Sequence, residues 1–152
     1  MPKIDIKSIP ADASTAYPAP FRASMSGRDR KRLGNAAGLT QFGVNLCRIA
    51  PGGASSQRHW HQNEDEFIYV LEGEVVLCED GGETVLKAGD AAAWKAGVAN
   101  GHCIVNRSGS EAVVLEVGSR HASERVDYPD IDMRMEREGA SPKYFRKSGE
   151  PY

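Results

Sequence analysis

From Gln41 to Gly118 the chain is cut into short strand-forming runs by glycine-bearing turns, at a spacing of roughly ten residues. Phe42, Val44 and Leu46 alternate, and Pro51-Gly52-Gly53 ends their run. Further strands are predicted over 55–61, 66–72 and 74–78. Asp80-Gly81-Gly82 is a hairpin signal leading into 83–87, and runs at 91–94, 102–106 and 111–117 complete the series. About seven or eight strands at this spacing, without a convincing helix, restrict the fold to an all-β sandwich, jelly roll or barrel. The 16 glycines and 8 prolines serve this punctuation rather than long helices.

The flanks differ in character. Residues 1–40 read as an N-terminal arm whose apolar knot is Tyr17-Pro18-Ala19-Pro20-Phe21. Arg28-Asp29-Arg30-Lys31-Arg32 reads as a solvated basic loop, or as a rim that meets an anionic substrate or partner subunit. It lacks the interleaved aromatics of a nucleic-acid surface. Residues 119–152 form a C-terminal extension in which Ile131, Met133 and Met135 alternate and Tyr144-Phe145 is a further apolar stop. Accessory strands that pack on the barrel or a neighbour are expected there.

A chain of 152 residues folds most simply as one domain and buries roughly 70% of its unfolded surface without disulfide or metal. Its net charge of −2 does not select a polyanionic partner. Cys47, Cys78 and Cys103 form no CxxC pair, a usage that suits a reducing cytoplasm. No segment has the length of a membrane span, so a cytoplasmic protein is expected. Phe67, Tyr69 and Leu71 alternate with Ile68 and Val70, making both faces of one strand apolar. One face suits the barrel interior, and the other needs a second sheet, the arm or a second copy; a homodimer is expected.

The chemistry concentrates at Arg58-His59-Trp60-His61, with Glu64 and Glu66 following. On a strand, residues two apart share a face and lie about 6–7 Å apart, so His59 and His61 can grip one ion. Strand parity admits Glu64 or Glu66 as the accompanying carboxylate. Gly53-x5-His59-x-His61-x4-Glu66-x6-Gly73 resembles the first motif of the cupin family at every fixed position, and its spacing to Gly73 favours Glu66. The second cupin motif is met at Gly89 and Gly97, but Lys95 replaces its proline and Asn100 stands where its histidine belongs. His102 comes two residues late and keeps the spacing to Asn106. A two-residue lengthening of the loop makes His102 the fourth ligand, with Asn100 as the alternative.

The resemblance covers residues 41–118 and implies a double-stranded β-helix, the jelly-roll barrel of cupins. It also implies one divalent transition metal ion (Fe, Mn, Ni, Zn, Co or Cu) held by His59, His61, Glu66 and His102. Three imidazoles and a carboxylate suit such an ion and leave positions open for substrate. Cupins include isomerases, dioxygenases, decarboxylases and ligand sensors. The expectation is therefore a metalloenzyme acting on a small oxygenated metabolite, by sugar-phosphate-isomerase-like or dioxygenase-like chemistry, with a non-catalytic small-molecule sensor as the alternative. Glu66 and His102 are the candidate catalytic residues, and Gln57, Tyr69 and Trp94 the candidate substrate contacts. Glu116 and Asn106, polar within apolar strands, are candidates for orienting an imidazole.

Overall fold

The structure is a computed structural model and describes residues 3–139 and 141–152. Its strands are β1 (Arg28–Arg32), β2 (Phe42–Ile49), β3 (Trp60–His61), β4 (Glu66–Glu72), β5 (Glu74–Glu79) and β6 (Gly82–Lys87). They continue as β7 (Ala91–Trp94), β8 (Cys103–Val105), β9 (Ala112–Ser119), β10 (Ser123–Tyr128), β11 (Met133–Glu138) and β12 (Ser141–Phe145). Helical structure is confined to α1 (Ala19–Arg22), a following 3-10 turn and α2 (Leu33–Ala36).

One layer is an antiparallel sheet in the order β1-β2-β9-β4-β7. The other is made of β6-β5-β8 and β12-β11-β10-β3. Bridges from Ala54 to Val105 and from His59 to His102 lay the 54–61 segment along β8 and join the two parts. The chain passes between layers at the corner after β4, where Gly73 has φ +75° and a Cβ would stand 2.8 Å from the Glu111 carbonyl oxygen. Only glycine meets both demands. The turn after β5 is the expected hairpin, with Glu79 paired to Gly82.

Between the layers lies a core of alternate residues, including Cys47, Ile49, Ile68, Val70, Val75, Leu77, Ile104 and Val114. Strand periodicity explains the selection, since each of these points inward while its neighbours in sequence point out. A second cluster, Tyr17, Met25, Val126, Tyr128, Met133 and Met135, joins the arm to the extension of the same chain. Tyr17 packs edge-on against Tyr128 (5.7 Å between centroids) and Tyr144 (6.0 Å).

The flanks are thus built into the layers. The extension adds β10 directly to β3, pairing Val126 with His61. The basic cluster, expected as a loop or rim, is instead strand β1, paired with β2 from Arg28↔Ile49 to Arg32↔Asn45. The stems of Arg28, Arg30 and Arg32 cover the sheet edge, and the charged ends of Arg30 and Arg32 pair with Glu116 and Asp12. The five-stranded sheet therefore begins before residue 41.

Candidate metal centre and cavity

His59 and His102 are tied by reciprocal backbone hydrogen bonds: the His59 N–H donates to the His102 carbonyl (3.0 Å) and the reverse bond is 2.8 Å. Residues paired in this way project to the same face, so both imidazoles enter the barrel. His61 follows two residues after His59, and Glu66 enters from β4 in the opposite layer. Asn100 lies elsewhere, donating to Glu79 (2.9 Å) and accepting from the Asp80 N–H (3.1 Å). The lengthened loop thus delivers His102 to the cluster and takes Asn100 away from it.

The donor atoms converge. His59 Nε2 is 3.1 Å from His61 Nε2, and Glu66 Oε2 is 3.6 Å from the first and 3.5 Å from the second. Ligands each about 2.0–2.2 Å from a shared ion stand roughly 3.0–3.5 Å apart, so these three side chains fit one divalent ion. His102 Nε2 stands 2.7 Å from the same Glu66 oxygen. The mutually close group, with all donors within 4.8 Å of one another, is His59, His61 and Glu66; His102 meets it through the carboxylate.

The second ring nitrogens are held from behind. His59 Nδ1 lies 2.9 Å from the Gln57 carbonyl, which accepts its proton and leaves Nε2 as a bare lone pair facing the cluster. His102 Nδ1 lies 3.3 Å from the Asn100 carbonyl in the same sense. His61 Nδ1 is buried without a hydrogen bond and faces two carboxylates, Glu64 at 4.0 Å and Glu124 at 3.9 Å. Glu64, the alternative ligand, therefore sits behind the His61 ring, where it accepts from Arg137 and from the His121 N–H. Glu124 is almost fully buried and accepts from the backbone of Gln62, Asn63 and Arg125.

Electrostatics match this arrangement. Burial lowers the His59 pKa to about 4, so the ring is neutral near pH 7 and ready to bind a cation. Burial acts to raise the Glu66 pKa. The His102 hydrogen bond and the nearby imidazoles outweigh it and hold the carboxyl well below the usual carboxylate range.

The cluster heads a cavity of about 350 Å³. Along β2 and β9 the inward pairs Ile49–Ala112 and Cys47–Val114 belong to the core, and the cavity wall begins where Asn45 faces Glu116. At the level of Glu66 the paired residues are Gly43 and Gly118. An added Cβ on either glycine would make ordinary contacts, no closer than 3.5 Å, so the wall beside the carboxylate is bare backbone that lines the cavity.

Trp94 lines this cavity, stacked on His102 with centroids 3.9 Å apart at an interplanar angle of 7°. Its indole N–H donates to Glu79 (2.8 Å), the carboxylate that also holds Asn100. Tyr128 stacks on His59 at 5.7 Å.

Two expected substrate contacts do not line this cavity. Tyr69 points out of the barrel, because β4 alternation sends Glu66, Ile68 and Val70 inward and leaves Tyr69 37% exposed. Gln57 bonds to Ser24 of the arm. The 54–59 segment is bridged only at Ala54 and His59, so strand alternation does not extend through Gln57. Nor do Glu116 and Asn106 orient an imidazole. Glu116 accepts two hydrogen bonds from Arg30 (2.6 and 2.8 Å), and Asn106 donates to the carbonyls of Ile49 and Ser110.

Glu79, Glu124, Arg137 and Tyr128 escaped the sequence reading. Each acts across strands distant in sequence, and no local spacing marks it.

Comparison with known proteins agrees with this architecture. The cupin domain family matches residues 45–118. The crystal structure of a cupin-superfamily sugar phosphate isomerase from Silicibacter pomeroyi is 45% identical, with a TM-score of 0.96 over 99% of this chain and 96% of that one. A protein from Acidithiobacillus ferrooxidans, described as a sugar phosphate isomerase on a provisional basis, is 31% identical. Its TM-score is 0.74 over 80% of this chain and 77% of its own. The polyketide cyclase RemF from Streptomyces resistomycificus, at 21% identity and a TM-score of 0.64 over 78% and 79% of the two chains, shares the fold. No curated protein matches the sequence.

Proposed function

The chain belongs to the cupin superfamily, and from that premise we propose that it is a divalent-metal-dependent isomerase acting on a sugar phosphate or a closely related hydroxy-carbonyl metabolite. The observation that carries the proposal is the convergence of His59, His61 and Glu66 at the head of a cavity open beside Glu66. The 45% identical isomerase from Silicibacter pomeroyi supports isomerase over dioxygenase chemistry. In this reading His102 joins the three as the fourth ligand or as the acid-base partner of Glu66.

When bound, a divalent ion supplies Lewis-acid polarisation of a substrate oxygen. The chain's own residues do the rest. Isomerisation takes a proton from the carbon next to the carbonyl and returns it to the neighbouring carbon, while a hydroxyl proton crosses between the two oxygens. The Glu66–His102 pair, 2.7 Å apart, is the candidate proton carrier. Contacts with the imidazoles run through Glu66 Oε2, which leaves Oε1 for the substrate. Trp94 stacks against His102 and holds the ring's plane, and Tyr128 does the same for His59. The stacked aromatic faces also keep water from the rear of both rings.

The outer face of the five-stranded sheet supports a homodimer. Val44, Val117, Phe67 and Ala93 lie on one rung and Leu46, Leu115, Tyr69 and Ala91 on the next, all facing outward. An apolar face of that extent is suited to a second copy of the same sheet.

The test is elemental analysis of protein purified without added metal, followed by incubation of the loaded protein with aldose and ketose phosphates in heavy water. Isomerisation through a proton-transfer intermediate puts deuterium on carbon, visible by NMR, and consumes no oxygen. Oxygen uptake without carbon-bound deuterium would sink the isomerase reading.

A further inference from the structure

Four arginines line the cavity, and three of them are committed to carboxylates. Arg30 is paired with Glu116, Arg32 with Asp12 and Arg137 with Glu64. Arg120, just beyond the end of β9, has no carboxylate partner among the described residues. Its Nη1 donates to the Leu39 carbonyl (2.8 Å) and its Nη2 to the Asn35 side-chain oxygen. These two neutral acceptors orient the guanidinium without cancelling its charge, and three of its five N–H groups are left over. Its residue is exposed at the cavity mouth.

The position is as telling as the charge. A Cβ built on Gly43 would lie 3.7 Å from Arg120 Nη2 and 3.8 Å from Nε, so the guanidinium overhangs Gly43. Gly43, Gly118 and Glu66 share one rung of the sheet. Two strand spacings separate Gly43 from Glu66, about 10 Å. Along that span the wall carries no side chain, and the open lane ends at the proposed metal ligand on one side and at a free cation on the other. A phosphorylated sugar chain can bridge it.

We infer that Arg120 is the docking point for the phosphoryl group of the substrate, reached from Glu66 along the lane left by Gly43 and Gly118. The inference rests on the isomerase reading for its substrate class, but it makes a separate claim. The geometry orients the sugar with its reacting carbons at Glu66 and its anionic end at the mouth. Arginine suits this role because its fork donates two parallel hydrogen bonds to phosphate oxygens. Asn35, on α2, holds that fork in place. Arg120 binds and orients; proton transfer stays with the groups around Glu66.

The experiment measures binding, so it does not depend on turnover. Sorbitol and sorbitol 6-phosphate, which cannot isomerise, are titrated calorimetrically into the metal-loaded protein. The wild type is expected to bind the phosphate at least about tenfold tighter than sorbitol, since hydrogen bonds to charged groups contribute about 1.5–3 kcal/mol. Arg120→Met removes that preference and leaves sorbitol affinity in place, and Arg120→Lys restores part of it. Gly43→Val, which fills the lane and presses on the overhanging guanidinium, weakens both ligands while metal content is unchanged. A phosphate preference that survives Arg120→Met overturns the inference, as does a wild type with no preference. Carbon-bound deuterium from an unphosphorylated sugar, with no phosphate preference, would leave the isomerase standing and the Arg120 site refuted. A preference that depends on Arg120, without deuterium exchange on any sugar phosphate, would do the reverse.

Discussion

Replacing Glu116 by leucine isolates what the Arg30–Glu116 pair does for the cavity. Arg30 stands on β1, Glu116 on β9, and both side chains point between the layers. Arg30 Nε and Nη2 donate to the two carboxylate oxygens at 2.6 and 2.8 Å, and Nη2 also donates to the Ser55 carbonyl at 3.0 Å. Ser55 belongs to the segment that leads to His59 in the opposite layer, so the pair braces one layer against the backbone that carries the candidate metal ligands. Breaking a buried pair by removing one partner costs about 3–5 kcal/mol. These side chains keep 20% and 16% exposure, so water recovers part of that and about 2–3 kcal/mol is expected for Glu116→Leu. With an unfolding entropy of about 2.1 cal/mol/K per residue over 152 residues, that is a drop in Tm of about 6–9 °C. Arg30→Met should cost a similar amount. The double variant Arg30→Met/Glu116→Leu removes both charges together and should lie within about 1.5 kcal/mol of wild type, since paired apolar replacements are often near neutral. Urea unfolding of metal-free protein, followed by fluorescence and circular dichroism, measures all four corners of the cycle. Strict additivity, with the double variant as unstable as the two single costs combined, would refute the argument. So would a Glu116→Leu cost below about 0.5 kcal/mol, the range of an ordinary surface substitution.

Acidification should weaken the metal-free protein from about pH 6.5 downward. The folded His59 has a pKa near 4 against 6.5 for the free group, so between those values the unfolded chain binds a proton that the folded one refuses. Stability then falls as pH drops through that window, by at most about 3 kcal/mol. Glu66, held below its ordinary 4.5, adds a loss of the same sign at lower pH. Urea midpoints at pH 7, 5.5 and 4.5 should show the decline, and His59→Gln should flatten its upper part; an unchanged slope would count against the assignment. A divalent ion at a thousand times its Kd should stabilise the wild type by about 4 kcal/mol. That increment should vanish in His59→Ala, His61→Ala and Glu66→Gln, as read by thermal shift and elemental analysis. Phe67→Asp on the outer sheet face should turn the proposed dimer into a monomer by analytical ultracentrifugation without loss of bound metal, and a wild type that sediments as a monomer would end the dimer proposal.

Local patterns carry local information, and the chain shows where that limit falls. His59 and His61 were legible because a two-residue period and the spacings to Gly53, Glu66 and Gly73 are properties of one short stretch. His102 needed one more step, a loop two residues longer than the cupin motif, and the backbone pairing with His59 supplies the physical reason for it. Tyr69 went astray for the opposite reason. Both parities of β4 are apolar, so hydrophobicity cannot say which one faces in, and Glu66 on the inward parity decides the matter only once its role is known. Arg28–Arg32 reads as solvated because five charged residues in a row have no apolar alternation to mark a strand. Its partners, Glu116 for Arg30 and Asp12 for Arg32, stand 86 and 20 residues away, and only the closed sheet brings them together. The same holds for Glu124 behind His61, which β10 brings there. The candidate metal group of His59, His61 and Glu66 is therefore written within the motif, whereas the proposed substrate dock is written between strands, in which arginine is left without a carboxylate and which rung lacks side chains.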